Sequence, residues 1–281
     1  MAASGFGDVV GRGGSAGETI TLEARAVPAP GARQYRGLRV GGIVALLAVW
    51  EALSRSHVVP AVFLPSPGAV ARELAHLAAT GDLWRSVGAS LGRIGAGFGI
   101  GSAAGLIVGI LAGISRRAEA VAEPLIAAVY PIPKIALLPL LILWLGIGEA
   151  PKIALIAIGA FFPVAIGTAT AIRDVDPLLI RAARSFGAGR IQIATKVQLP
   201  ASVPVVFASL RLAAGMSLLL VVSAEMIAAT AGIGYLILYA GDLMQTSRLL
   251  AGIVVLSVLG LLSTAGLATL ERRLFRGRAR G

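Results

Sequence analysis

Cysteine is absent from this 281-residue chain, and charged residues make up only 14% of it. The missing thiols exclude disulfides, thiol nucleophiles and iron–sulfur clusters. The two histidines, His57 and His76, are too few to form a histidine-based metal site by themselves. Soluble domains carry about 25% charged residues, so this chain has too little charge to cover a water-facing surface of its size. An ordinary soluble enzyme is thereby excluded.

Hydrophobic residues make up 57% of the chain, and the mean hydropathy is +0.86, which indicates a protein that lies in lipid. A membrane-spanning helix needs about 20 mostly apolar residues. We predict an all-α polytopic fold with about six spans. The spans are Val40–Leu53, Ile94–Ser115, Glu123–Leu145, Ile153–Ile172, Ala201–Ala229 and Leu249–Leu270.

The basic residues alternate between the segments that join these spans. With the N-terminus in the cytoplasm, the predicted inner segments hold 17 Lys and Arg residues and the outer segments hold 6. The inner segments are 1–39, 115–119, 173–199 and 271–281. Cytoplasmic loops of membrane proteins carry such an excess, so we predict both termini in the cytoplasm and no nucleic-acid partner for the net charge of +11. Residues 1–37 lack an apolar run and predict a disordered tail before a membrane domain, 38–281.

Three local patterns stand out within the membrane domain: a glycine stripe, an amphipathic segment and a proline-interrupted span. Glycines recur every four residues at Gly97, Gly101, Gly105, Gly109 and Gly113. Such a stripe lets another helix approach closely, either across a dimer or within one subunit. Residues 68–79 have apolar residues at helical spacing and predict an amphipathic helix, lying at the membrane interface or on a solvated surface. Pro131, Pro133 and Pro139 should break the third span, which marks a translocation path or a fixed kink.

Three ionisable residues are predicted at membrane depth: Lys134, Arg211 and Glu225. Charges are costly there and indicate function by default. We therefore take these residues as candidates for the substrate pathway. Lys134 and Arg211 could attract an anion or could bond to internal carbonyls. Arg211 and Glu225 are separated by about 21 Å along one helix, so they cannot pair with each other.

The segment 176–199 combines two short predicted helices. Asp176 followed by Pro177 is typical of a helix start. Gly187 and Gly189 should end the first helix, and a second helix, Arg190–Val197, should stop before Leu199 and Pro200. Two short helices that meet at a glycine predict a compact knob, which suits the transmission of force from a soluble partner.

This segment resembles the "EAA" motif of the permease subunits of binding-protein-dependent ABC importers. The matching residues are Arg181, Ala182, Ala183, Gly187, Leu199 and Pro200. The spacing fits, although the family usually has Glu where this chain has Arg181. Pro131–Gly148, Phe161–Pro163 and Ser223–Leu236 are similar to the branch that imports nitrate, sulfonates or taurine, and the resemblance runs from about residue 38 to residue 275.

The resemblance implies a type I ABC permease in the bacterial inner membrane, with no enzymatic activity or cofactor of its own. Two permease subunits, expected to be a homodimer, would form the pathway. Segment 176–199 would dock on one of two ATP-binding cassette subunits, and an extracytoplasmic binding protein would deliver a small oxyanion such as an alkanesulfonate, taurine or nitrate. The lysines, Lys134, Lys152 and Lys196, lack the P-loop context, so ATP hydrolysis must belong to a partner.

Three alternatives remain at this stage. Relatives of this branch also carry pyrimidine, thiamine-precursor or riboflavin-like compounds, and a single sequence does not separate these substrates from sulfonates. A secondary carrier that works without ATP also has broken helices and membrane-embedded charges, but it usually shows an internal repeat that this sequence lacks. A membrane-embedded enzyme would need clustered catalytic groups or metal ligands, and the acids here are scattered.

Overall fold

The structure, a computed structural model, describes residues 34–56, 58–60 and 62–275. These residues form helices joined by short turns, and no β-strand occurs among them, which confirms the all-α prediction. The helices are α1 (Gln34–Arg55), α2 (Pro67–Thr80), α3 (Asp82–Ile114), α4 (Arg116–Val129), α5 (Leu138–Leu145), α6 (Ala150–Arg173), α7 (Pro177–Ser185), α8 (Arg190–Ile193), α9 (Leu199–Ala228), α10 (Ile233–Asp242) and α11 (Thr246–Phe275). A 3₁₀ turn, Lys134–Leu137, precedes α5, and a π-helical turn, Ala194–Gln198, precedes α9.

The chain divides into two compact units, 1–46 and 47–281. In the first unit the described residues are 34–46, which belong to α1. Residues 1–33 of the predicted tail lie outside the described residues, as does His57 in the second unit, whereas residues 34–37 of that tail are helical and begin α1. The described part of the second unit contains the end of α1 and all the other helices.

The glycine stripe brings α3 and α6 together. A Cβ atom added at Gly97 would lie 2.6 Å from Ile156 Cβ, and one added at Gly109 would lie 2.6 Å from Thr168 Cβ. The other glycines of the stripe approach α6 just as closely. Because only a residue without a side chain permits this separation, the stripe sets the distance between the two helices. Of the two predicted roles, the structure shows packing within one chain.

Helix α6 lies between α3 and α9. On its α9 side, a Cβ atom added at Gly167 would lie 2.7 Å from Ser209 Cβ. Ala160 and Val164 of α6 form a buried cluster with Ala213 of α9. The three helices thus form the packed centre of the second unit, and α6 holds the outer two in place.

The number of membrane spans is close to the prediction but smaller. Within the described ranges, four helices are long and apolar enough to cross a bilayer: Asp82–Ile114, Ala150–Arg173, Arg190–Ala228 and Thr246–Arg273. A fifth span results if the bent pair formed by α4 and α5 counts as one. Helix α1 contains the predicted first span but does not belong to this set, so the predicted number of six is only roughly matched.

The predicted break in the third span is confirmed. Helix α4 ends at Val129, the helical path resumes at Lys134, and the two parts differ in direction by 86°. Pro131 and Pro133 lie in the break, where their missing N–H groups could not have continued a helix. Pro139 was predicted to break the span as well, but it lies in the first turn of α5, where its N–H group would have no partner in the helix.

Helix α2 has the predicted apolar side, and that side packs on protein. The Ser66 hydroxyl accepts a hydrogen bond from the Ala69 amide at 3.2 Å and caps the helix. Val70 and Leu77 are buried in a cluster with Leu236 of α10 and Ala251 of α11. The opposite side, which includes Arg72 and His76, is exposed, so the amphipathic pattern is as predicted, and the placement of that side at a membrane interface or in solvent stays a prediction. The partners of the apolar side, α10 and α11, are ones that no local pattern in the sequence reveals.

Candidate functional sites in segment 176–199 and among the buried charges

The first helix of segment 176–199 has the predicted cap and the predicted end. The Asp176 carboxylate accepts a hydrogen bond from the Leu178 amide at 2.8 Å, and Pro177 occupies the first position of α7. At the other end the Gly187 amide donates to the Arg184 carbonyl, and the Ala188 amide donates to the Ala183 carbonyl. This pair of bonds is the Schellman motif, which requires a left-handed residue; Gly187 supplies it with φ of 79°.

The second helix of the segment does not stop before Pro200. Helix α8 begins at Arg190 after Gly189, whose amide donates to the Gln192 side chain at 3.0 Å. The helical path then passes through the π-helical turn Ala194–Gln198 directly into α9. Pro200 has no N–H group, and its ring crowds the carbonyl one turn earlier. The wider π-helical turn relieves that conflict, so proline marks the start of the span without ending the helix.

Large apolar side chains project from this segment into solvent. Phe186 is 91% exposed and Ile191 is 79% exposed, and Leu178 is exposed as well. The predicted motif residues lie beside them: Arg181 and Ala182 are exposed, Ala183 is half-buried, and Leu199 and Pro200 are half-buried at the start of α9. The segment is held against the span before it, because the Gln198 side chain donates to the Ile172 carbonyl at 3.3 Å and Ile193 is buried. An exposed apolar surface on a braced segment is typical of a docking site.

A network of buried charges joins α3, α6 and α9 at the opposite ends of the spans from segment 176–199. Nη1 of Arg93 donates to the Glu225 carboxylate at 2.6 Å and to the Ala231 carbonyl at 2.7 Å. Nη2 of Arg93 donates to the Glu149 carboxylate at 2.9 Å. Lys152 contacts Glu149 at 3.2 Å. Arg93 and Lys152 are buried, whereas the Glu149 side chain is 57% exposed.

The Glu225 carboxylate is fully buried and surrounded by donors. Besides Arg93, it accepts hydrogen bonds from the Ser90 hydroxyl at 2.8 Å and from the Gly234 amide at 2.8 Å. The Ile233 amide in turn donates to the Ser90 hydroxyl at 2.9 Å. The carboxylate therefore ties the start of α10 to α3 and α9, and a buried charge satisfied in this way holds several elements in one arrangement.

Glu149 lies before α6, outside the apolar span, and its charge is strongly favoured. The hydrogen bonds from Arg93, and secondarily that from Lys152, lower the pKa of Glu149 to about 2, although partial burial acts in the opposite direction. Glu149 follows Gly146 and Gly148, which adopt φ of 79° and 157°. The network thus has one buried carboxylate and one that lies on an exposed glycine-containing loop.

Arg93 and Lys152 were not predicted as site residues. Both were assigned to outer loops because the apolar runs begin at Ile94 and Ile153. In the structure α3 begins at Asp82 and α6 begins at Ala150, so both cations lie within helices. Asp82 directly after Gly81 is a helix-start signal that would have extended α3. The spans were instead located as runs of uncharged residues, and such a run ends at any cation, even one that is buried and paired with a carboxylate far away in sequence.

The three predicted pathway residues have different partners. Glu225 is bonded to Arg93 as described, and Arg211 forms an ion pair with Glu271 of α11. The Lys134 ammonium donates to the Tyr130 carbonyl, which the break in the span leaves free. It also lies 4.7 Å and 4.9 Å from the ring centroids of Tyr130 and Phe162.

Comparison with known proteins identifies the family. Residues 105–276 match the model of the binding-protein-dependent transport system inner membrane component family. The chain is 37% identical over 268 residues to the putative aliphatic sulfonates transport permease protein SsuC of Bacillus subtilis, covering 94% of this chain and 96% of that protein. It is 36% identical over 242 residues to the taurine transport system permease protein TauC of Escherichia coli, covering 84% and 88%.

A solved structure of similar fold is an inward-facing conformation of the MetNI methionine ABC transporter. The TM-score is 0.61 at 22% sequence identity, and the match covers 68% of this chain and 95% of that one. A likeness at this level concerns the fold. The family and the relatives place the chain among multi-pass inner membrane components of ABC importers, which work with an ATP-binding partner and a substrate-binding protein. The chain belongs to the binding-protein-dependent transport system inner membrane component family, as an ABC importer permease of the sulfonate and taurine branch.

Proposed function

We propose that this chain forms the translocation pathway of an ATP-driven importer that brings alkanesulfonates or taurine into the cell. The observation that carries the proposal is the similarity, over 94% and 84% of the chain, to permeases named for aliphatic sulfonates and for taurine. The broken span and the buried Glu225 lie in the segments Pro131–Gly148 and Ser223–Leu236, which resemble this branch in sequence. Nitrate and heterocyclic compounds such as thiamine precursors are the competing substrates.

Segment 176–199 is the part that we assign to coupling. Phe186, Ile191 and Leu178 offer an apolar surface that a groove on the ATP-binding subunit would cover. The Schellman motif at Gly187 and the bond from Gln198 to Ile172 make the segment stiff. A movement imposed on it would therefore reach α6 and α9 together. Arg181 is exposed, so a cation at this position of the motif can meet a carboxylate of the partner.

The assembly that follows contains two copies of this permease and two ATP-binding subunits, with a binding protein on the outer side. Both termini lie in the cytoplasm in this arrangement, which the excess of basic residues in the predicted inner segments supports. Segment 176–199 and the network around Glu225 lie at opposite ends of α9, the former on the cytoplasmic side and the latter on the outer side.

Lys134, Arg211 and Glu225 remain the proposed pathway residues, but their surroundings differ. Arg211 and Glu225 have partners of opposite charge, Glu271 and Arg93. A substrate anion would have to compete with those partners. No carboxylate pairs with Lys134 among the described residues, so of the three residues it is the one most available to bind a substrate anion.

Growth on a defined sulfur source tests the substrate class. A strain that lacks this permease should fail to grow with taurine or ethanesulfonate as the sole sulfur source and should grow normally on sulfate. Restoring the permease should restore growth and uptake of the labelled sulfonate. Normal sulfonate uptake in the deletion strain, together with loss of nitrate or thiamine-precursor uptake, would overturn the proposed substrate.

A further inference from the structure

One cation differs from the others in its surroundings. Five lysines and arginines are buried or half-buried among those whose side chains the structure describes. Four of them have a carboxylate within 4.0 Å: Arg93, Lys152, Arg211 and Arg248. Lys134 is the remaining one, and no carboxylate lies within that distance among the described residues.

Lys134 lies where an ammonium without a carboxylate partner is expected to need another compensating group. Lys134 lies at the break of the bent segment 116–145, between α4 and α5. A lysine at membrane depth is costly unless another group compensates its charge. Irregular backbone at that depth is tolerated where it is packed in protein or lines a water-filled cavity.

The groups around the ammonium compensate it only in part. An ammonium has three donors, and one of them is bonded to the Tyr130 carbonyl. The negative faces of the Tyr130 and Phe162 rings attract the ammonium, but an aromatic ring has no net charge and cannot neutralise it as a carboxylate would. Phe162 is buried on α6, whereas Tyr130 is 43% exposed. The site therefore has a fixed apolar wall on one side and an opening on the other.

We infer that Lys134 is an anion-recognition residue for the sulfonate group of the transported substrate, with the Tyr130 and Phe162 rings beside its hydrocarbon part. This inference rests on the proposed function, since it names the contact that the sulfonate makes. A sulfonate carries one negative charge over three oxygens, which suits a compact ammonium with free donors. A lysine binds such a group as a point charge without the paired geometry of arginine. Binding of that kind is weak enough to release the substrate onward, as a transport path requires.

The absence of cysteine from the chain permits a direct test. Lys134→Cys creates the only thiol of the permease. One reagent, 2-aminoethyl methanethiosulfonate, attaches a side chain that ends in an ammonium, and methyl methanethiosulfonate attaches a small neutral group. The variant is reconstituted in liposomes with its ATP-binding and substrate-binding partners, and uptake of labelled ethanesulfonate and taurine is measured after each treatment. The cysteine-free wild-type permease, treated in the same way, corrects for thiols on the partners.

We expect the ammonium-labelled transporter to take up sulfonate about tenfold faster than the neutral-labelled one at low substrate concentration. ATP hydrolysis stimulated by the binding protein should be similar in both, because Lys134 lies beside Phe162 of α6, about 16 Å along that helix from its end before segment 176–199. Saturating ethanesulfonate should also slow the labelling of the single thiol in Lys134→Cys. Arg117→Cys is the matched control, because Arg117 is an exposed cation on the same broken segment without a carboxylate partner in the described structure; its uptake should not depend on the reagent.

Equal uptake after the two reagents would overturn the inference, and so would a thiol in Lys134→Cys that neither reagent reaches. Failure of both Lys134→Cys and Lys134→Met to assemble would also overturn it, since the ammonium would then serve only the fold. A wild-type transporter that takes up no sulfonate at all would instead reject the proposed function. The two failures are thus distinguishable in one set of measurements.

Discussion

A guanidinium nitrogen of Arg93 donates to the Glu225 carboxylate at 2.6 Å, in a place where neither side chain is open to solvent. This bond joins α3 to α9 across 132 residues of sequence. Glu149 contacts the other edge of the same guanidinium from an exposed loop. Arg93 therefore binds one fully buried carboxylate, Glu225, and one solvent-exposed carboxylate, Glu149, at the end of the spans away from segment 176–199.

Removing Arg93 should destabilise the permease strongly. Arg93→Gln leaves the Glu225 carboxylate buried without its cation, and breaking a buried pair in this way costs about 3–5 kcal/mol of the free energy of unfolding. Unfolding of the purified permease by titration with a denaturing detergent measures the loss. Arg55→Gln is the control, because it breaks the exposed Glu51–Arg55 pair; such a pair contributes about 0–1 kcal/mol. Equal losses in the two variants would contradict the assigned role of the network.

The glycine stripe should tolerate no methyl group. In Gly109→Ala the new Cβ would lie 2.6 Å from Thr168 Cβ and 2.7 Å from the Ala165 carbonyl oxygen. Forcing the helices apart should lower stability by about 1–3 kcal/mol. Gly99→Ala on the same helix meets nothing within 4 Å and should be neutral or slightly stabilising. Thermal unfolding in detergent compares the two; a stable Gly109→Ala protein would show that α3 and α6 are farther apart than described.

Stability should fall in acid partly through Glu149. Its folded pKa of about 2 lies below the value of about 4.3 for an unfolded chain. Its contribution is therefore complete above the unfolded value and is lost as the pH falls through the folded value, between about pH 4.5 and pH 2. The melting temperature of Glu149→Gln should be lower than that of the wild type at pH 7 and should change less over that range. Glu123→Gln, an exposed residue without an ion pair in the described structure, should follow the wild type. Parallel pH profiles for wild type and Glu149→Gln would contradict the assigned pKa.

Changing Gly187 should uncouple transport without preventing insertion. A branched residue is strained at φ of 79°, so Gly187→Val should disturb the Schellman motif and displace Phe186. We expect weaker binding of the ATP-binding subunit and loss of sulfonate uptake at normal amounts of permease in the membrane. Gly189→Ala is the control, because Gly189 has a φ of −74° and open space around it. Normal binding of the ATP-binding subunit by Gly187→Val would count against the coupling assignment.

Local sequence patterns predicted several elements correctly because the interactions that form those elements join residues close together in sequence. The cap at Asp176, the end of α7 at Gly187 and the break at Pro131 and Pro133 each depend on residues within one or two helical turns. Each could therefore be inferred from consecutive letters. The prediction that the helix ends before Pro200 was wrong because the same proline can be accommodated by a π-helical turn.

By itself, the sequence determined an all-α membrane protein, the break in one span and both ends of α7 in segment 176–199, because hydropathy and backbone capping act over short stretches. Only the tertiary structure decided that α6 is the partner of the glycine stripe, that α10 and α11 cover α2, and that Arg93 meets Glu225. A helical period shows which residues share a face, but it does not show which helix lies opposite. A buried charge is equally ambiguous in sequence, since its cost depends on partners that lie far away along the chain.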